Sequence, residues 1–92
     1  MQVTVEYAAQ VKQAAGVRTE TVDIDDGCSA QDVVARVAES HGDPLKGLLL
    51  DGEGQLQRSI LLFVRGEQVR WETPAPLNDR DVVTILSPIS GG

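Results

Sequence analysis

The chain has 92 residues, of which 41% are hydrophobic and 24% charged, an ordinary balance for a globular protein that buries a core without disulfide or metal help. A net charge of −6 argues against nucleic-acid binding, where Lys and Arg must neutralise phosphates, and fits either plain solubility or encounter with a basic protein partner. The single cysteine, Cys28, excludes an internal disulfide framework, and the longest apolar run, Ile60 to Val64, is too short to span a bilayer.

The first stretch, Met1 to Tyr7, has no basic or long apolar segment, so no signal peptide is expected and the cytoplasm is the expected location. Within it Val3, Val5 and Tyr7 alternate with polar neighbours, the period of a half-buried strand. Ala8 to Ala15 is rich in helix formers but short, and reads as a helical turn or loop closed by Gly16. Arg18 to Ile24 alternates again, which predicts a second strand forming a hairpin with the first.

Asp25-Asp26-Gly27 is a predicted turn. Ser29-Ala-Gln-Asp32 resembles a capping box with aspartate in the last position, and Val33, Val34, Val37 and Ala38 then form one apolar face. These signals predict a helix to about Ser40, stopped by Gly42 and Pro44. Leu45 to Leu50 is a short apolar segment, and Asp51 to Gly54 a flexible turn. Ile60 to Arg65 is a predicted strand, Gly66-Glu67 a tight turn, Gln68 to Trp71 a short strand, and Asp81 to Leu86 the last strand.

Two strands, one main helix and three strands predict an α+β fold: a mixed sheet of about five strands with the helix on one face. No linker divides residues 1–92, so one domain is expected, with a flexible tail over residues 87–92. Alternation puts Ile60, Leu62 and Val64 on one side of the fourth stretch, and Val83 and Ile85 together in the last strand. If those face the helix, Leu61, Phe63 and Leu86 lie on the open face, either as a docking site or under a covering loop.

Catalytic constellations are absent from the pattern. His41 falls at a predicted helix C-terminus and reads as a capping or exposed residue, and Cys28 has no basic neighbour in sequence to activate its thiol. One histidine and one cysteine cannot build a zinc site, so no metal is expected. Asp25, Asp26, Asp79 and Asp81 read as solvated turn carboxylates, and Trp71 as an anchor or a packing residue. What stands out is the end of the chain, Asp81-Val-Val-Thr-Ile-Leu-Ser-Pro-Ile-Ser-Gly-Gly92. Two terminal glycines occur by chance in roughly one chain in two hundred, but here a strand, a proline and an uncharged tail lead into them. That arrangement presents a carboxylate for another enzyme to reach.

The element order with the terminal Gly-Gly resembles the ubiquitin-like β-grasp sulfur carriers. These include the small subunit of molybdopterin synthase, the thiamin-thiazole carrier and the cysteine-synthesis carrier. The resemblance covers nearly the whole chain and rests chiefly on Leu77 to Gly92, supported by Tyr7 to Gly16 and Phe63 to Arg70. It implies that the protein is a cosubstrate and not an enzyme. An activating enzyme of the ubiquitin-activator kind would use ATP to adenylate Gly92, and a sulfur donor would convert the adenylate into a thiocarboxylate. Gly91, Ser90, Ile89 and Pro88 would enter the partner's active site, and Leu61, Phe63 and Leu86 would dock. No bound cofactor, no nucleic acid and no membrane are implied, and the free carrier is expected to be a monomer. The acceptor would be a cysteine synthase, a thiosugar-type synthase or the molybdopterin synthase large subunit. Leu48 to Arg58 and Glu67 to Arg70 look more like the cysteine-synthesis carrier, and Leu86-Ser87-Pro88 departs from the molybdopterin-type tail. The alternatives are a ubiquitin-like modifier joined to lysines, or a β-grasp binding module without sulfur chemistry.

Overall fold

A computed structural model describes residues 1–87. In chain order the elements are β1 (Gln2–Ala9), α1 (Gln10–Ala15), β2 (Thr19–Asp23), α2 (Ala30–His41), α3 (Leu45–Leu49), β3 (Leu61–Val64), β4 (Glu67–Val69) and β5 (Val82–Ser87). The five strands form one sheet in the order β2-β1-β5-β3-β4. β1 pairs with β2 as the expected antiparallel hairpin, and runs parallel to β5 at the centre of the sheet. β3 pairs antiparallel with both β5 and β4.

Alternation along the strands decides which side is covered. Val3, Val5 and Tyr7 of β1, Leu62 and Val64 of β3, and Val83 and Ile85 of β5 are all buried, in one cluster with Val33, Val34 and Val37 of α2 and Leu45 and Leu49 of α3. The helices therefore lie on one face of a mixed sheet, as the pattern predicts. α2 begins with the anticipated capping box: the Asp32 N–H donates to Ser29 Oγ at 3.2 Å and the Ser29 N–H to Asp32 Oδ2 at 2.9 Å, so aspartate serves where a longer acid is usual.

Several boundaries differ from the sequence reading. Ala8–Ala15 divides between the end of β1 and the short helix α1, which closes at Gly16 in the left-handed region with φ 80°. Leu45–Leu49 is a third helix, whose Leu45 and Leu49 are fully buried. The β3–β4 turn is Arg65-Gly66, one residue earlier than expected, and β4 ends at Val69 and not Trp71. Both turn residues have positive φ, 52° and 82°, which suits the right-handed twist of a two-residue hairpin and needs a glycine at one position.

Asp81 also corrects the reading of a solvated turn carboxylate. It is buried, accepts the Asn78 N–H at 2.7 Å, and pairs with the Arg65 guanidinium. Those bonds compensate its desolvation and hold the entry to β5 against the β3–β4 turn, with the Asp81 carbonyl accepting the Thr4 N–H at 2.9 Å. No helix among the described residues is long and apolar enough to cross a membrane.

Candidate functional site

The site divides into the root of the tail and the open sheet face beside it. β5 delivers the chain to Ser87, which pairs with Ala9 in the parallel ladder. Ser87 is buried, and its Oγ accepts the Val11 N–H at 3.2 Å. This hydroxyl satisfies one of the unpaired amides at the start of α1, so the last residue of the strand is held from two sides. Ala9, the last residue of β1 and the N-cap of α1, has φ 60° and ψ −131°, a conformation that costs a non-glycine residue about 1–3 kcal/mol and persists where surrounding contacts impose it. The predicted tail residues Pro88, Ile89, Ser90, Gly91 and Gly92 lie outside the described residues.

Leu61, Phe63 and Leu86 fall on the sheet face opposite the helices. Register brings them together: Leu61 is the cross-strand partner of Leu86, and Phe63 of Thr84. Each is half-buried, because side chains on the same face shield one another; among the described residues Val17, 42% accessible, is the exposed large apolar side chain. The parallel pairing adds two neighbours. Ala8 pairs with Leu86, and Glu6 pairs with Thr84, whose hydroxyl donates to Glu6 Oε1 at 3.0 Å. Alternation put Glu6 opposite Val5 and Tyr7, but Ala8 read as part of a helical turn or loop, and nothing local indicated that β5 would lie beside either residue.

His41 departs from the expected capping or exposed role. The helix end is closed by the Gly42 N–H donating to the Ala38 carbonyl, while the His41 ring reaches Glu20 on β2, Nε2 to Oε1 at 2.6 Å. Tyr7 donates its hydroxyl to the same Glu20 oxygen, and the Tyr7 and His41 rings meet edge-on with centroids 5.9 Å apart. Burial raises the Glu20 pKa, but the hydrogen bonds from Tyr7 and His41 and the His41 charge outweigh it, so the carboxyl sits below its ordinary value. Burial, and then the bond and charge of Glu20, push the Tyr7 hydroxyl well above its ordinary value. This trio joins α2 to the β1–β2 hairpin. It lies on the helix side of the sheet, and its bonds are mutually satisfied, which marks a structural clasp.

Cys28 is half-buried against the core. Trp71 also packs there. Among the described residues no three His, Cys, Asp or Glu side chains converge as a metal site. On the open face the described residues bring together Leu61, Phe63 and Leu86 with Glu6 and Thr84 beside them, and Ser87 is held at the end of β5.

The ThiS family model matches residues 5–92. The chain belongs to the ThiS family. A molybdopterin synthase sulfur carrier subunit from Chlamydomonas reinhardtii is 30% identical to this ThiS-family chain over the full length of both. Among solved structures, SAMP1 from Haloferax volcanii superposes with a TM-score of 0.90 over all of both chains at 23% identity, a likeness of fold alone. A chain of the BexX/CysO complex from Amycolatopsis orientalis is 28% identical with a TM-score of 0.72, over 98% of this chain and 99% of that one. The ubiquitin-like fold predicted from element order is therefore present, and the chain stands among small sulfur carriers and ubiquitin-like modifiers.

Proposed function

We propose that this chain is a sulfur carrier protein whose Gly92 carboxylate is adenylated and then converted into a thiocarboxylate for use by a biosynthetic partner enzyme. The observation that carries the reading is the family match, which runs without interruption into the terminal Gly-Gly. Residues 1–92 act as one domain with its tail.

Chemistry explains the arrangement. A carboxylate is a poor electrophile. Attack of one Gly92 oxygen on the α-phosphorus of ATP releases pyrophosphate and gives a mixed anhydride. Hydrosulfide from a sulfur donor then displaces AMP at the carbonyl and loses its proton, which leaves the thiocarboxylate. That sulfur is anionic and soft, suited to attack on an activated carbon. The ATP belongs to the activating enzyme; the carrier is the cosubstrate and brings no cofactor.

In this reading Gly91 and Gly92 pass a narrow channel because they have no side chain, Pro88 limits the ordering cost of insertion, and Ile89 and Ser90 line the channel with it. The five residues after Ser87 reach at most about 18 Å when extended. The hold on Ser87 therefore sets where the carboxylate can go. Leu61, Phe63 and Leu86 form the docking face. A cysteine-synthesis acceptor, or one shared with natural-product thiolation, is favoured over a molybdopterin synthase large subunit. The CysO-containing relative supports the former and the curated relative the latter.

The test is intact-mass measurement after incubation with the activating enzyme from the same genome, ATP and a sulfide source. The expected product is heavier by the difference between one sulfur and one oxygen atom, and Gly92 deletion abolishes it. An unchanged mass with an active enzyme rejects the reading. The small archaeal modifier protein 1 of Methanosarcina acetivorans, 27% identical in its solution structure with a TM-score of 0.80 over 99% of this chain and 96% of that one, supports a second reading, conjugation to lysines. Recovery of Gly-Gly remnants on lysines in cells would favour it.

A further inference from the structure

We propose that Ser87 is a positioning residue for activation. Through its hydroxyl on the Val11 amide it fixes the residue at which the chain leaves the sheet, and so how many residues the activating enzyme must order to bring Gly92 to ATP. This deepens the carrier reading above and rests on it. Adenylation precedes both sulfur transfer and lysine conjugation, so the inference is the same for either.

The residue type and its place do not match by pattern alone. Val83, Ile85 and Ser87 form the helix-side row of β5 and all three are buried, yet the last is a serine. A buried hydroxyl costs free energy unless it is hydrogen-bonded, and this one meets a need in another element. α1 begins after Ala9, whose side chain cannot cap a helix and makes no cap bond. Ser87 supplies the acceptor from 76 residues away, taking the Val11 N–H at 3.2 Å in a buried bond. Val11 is itself fully buried, so water does not readily replace that acceptor.

Both ladders of β5 stop at this level. On one side Ala9 is the last β1 partner, and Gln10 already belongs to α1. On the other the β3 register ends with Leu61 opposite Leu86, and the Ile60 N–H donates to the Gln57 carbonyl at 3.0 Å. Pro88 comes next in sequence and has no N–H to offer a further rung. Among the described residues the Ser87 hydroxyl is thus the tie furthest along β5. Without it the Val11 amide has no partner, and withdrawal of Ser87 from the ladder lets water reach that amide. Ala9, held at φ 60° and ψ −131°, relaxes in the same opening and so favours it. The segment to be ordered on insertion then gains one residue, which costs about a factor of ten in the insertion equilibrium.

The experiment has two parts. Amide hydrogen exchange on the free carrier reads the bond without any enzyme. Pyrophosphate release by the activating enzyme with ATP, over a range of carrier concentrations, reads its consequence. The variants are Ser87→Ala and a matched pair, Ser87→Thr and Ser87→Val, which share a shape and differ in the hydroxyl. Valine suits a buried strand position, so the pair decides the matter even where alanine unfolds the chain. Val37→Ala, in the core face of α2, is the control for a loss of stability alone. At a temperature where all are folded, Ser87→Ala and Ser87→Val open the Val11 amide to exchange. They lower kcat about tenfold at little changed KM, because the docking face is intact. Ser87→Thr keeps both readouts near wild type, and Val37→Ala keeps kcat despite a lower melting temperature.

A Val11 amide that exchanges as fast in wild type as in Ser87→Val overturns the proposal at its first step. Faster exchange in Ser87→Val with a wild-type kcat overturns the positioning role and leaves the hydroxyl a helix cap. A kcat that falls in Val37→Ala in step with its stability, as in the Ser87 variants, reduces the effect to stability and overturns the proposal as well. A wild-type chain that is not adenylated rejects the carrier reading and this proposal with it, and the exchange result tells that failure from loss of the Ser87 bond.

Discussion

Glu20 is the residue on which two aromatic partners converge, and it makes stability depend on pH in a definite direction. Its folded pKa lies below the ordinary value of 4.5, so its contribution is present above that pH and is lost as pH falls below it. Tyr7 is shifted upward from 10.0, so its contribution is present below that value and is lost as pH rises beyond it. Glu20→Gln should therefore flatten the acid limb of a plot of urea midpoint against pH, and Tyr7→Phe the alkaline limb. An acid limb as steep in Glu20→Gln as in wild type would contradict the assignment. None of this was legible locally: Tyr7, Glu20 and His41 lie far apart in sequence, and His41 at a helix end satisfies the pattern of a C-terminal cap.

At the scale of elements, the loop between β4 and β5 lacks regular structure and is tied to α2 by one side chain. The Gln31 amide nitrogen donates to the carbonyls of Thr73 at 2.8 Å and Trp71 at 3.1 Å, with Arg70 at 3.3 Å sharing a proton, and its oxygen accepts the Ala75 N–H at 3.2 Å. Backbone bonds from Ala30 to Ala75 and from Leu77 to Cys28 complete the attachment. Gln31→Ala should cost about 0.5–1.5 kcal/mol, because the bonds to Trp71 and Ala75 are partly buried while those to Thr73 and Arg70 are exposed and water can replace them. Urea unfolding followed by the fluorescence of Trp71, the sole tryptophan, reads it directly. A loss well under that range would mean that water replaces the amide. The capping box announced the helix that carries Gln31, since the box is local chemistry. Its grip on a loop some forty residues away left no mark in the pattern.

For the whole molecule, the decisive property is the difference between the two faces of one sheet. Ile85 and Leu86 are neighbours in β5, yet Ile85 is fully buried beneath the helices and Leu86 is half-exposed on the open face. Ile85→Ala should cost about 2–5 kcal/mol of stability, the usual price of a cavity in a close-packed core. Leu86→Ala should cost about 1 kcal/mol or less while weakening the encounter with the activating enzyme. Chemical denaturation of both variants, beside activation kinetics of the second, separates core from docking face; similar stability losses would contradict the division.

By itself the sequence determined the strands, the main helix and which residues share a side, because period-two and helical spacing are local consequences of backbone geometry. It also carried the terminal Gly-Gly and the element order that mark the family. Only tertiary structure decided that β5 inserts beside β1, that Asp81 is buried against Arg65, and that Glu6 and Ala8 meet Thr84 and Leu86 across the β1–β5 ladder. Those outcomes depend on pairing between segments distant along the chain, whose register follows from burying one common core and not from any window of residues.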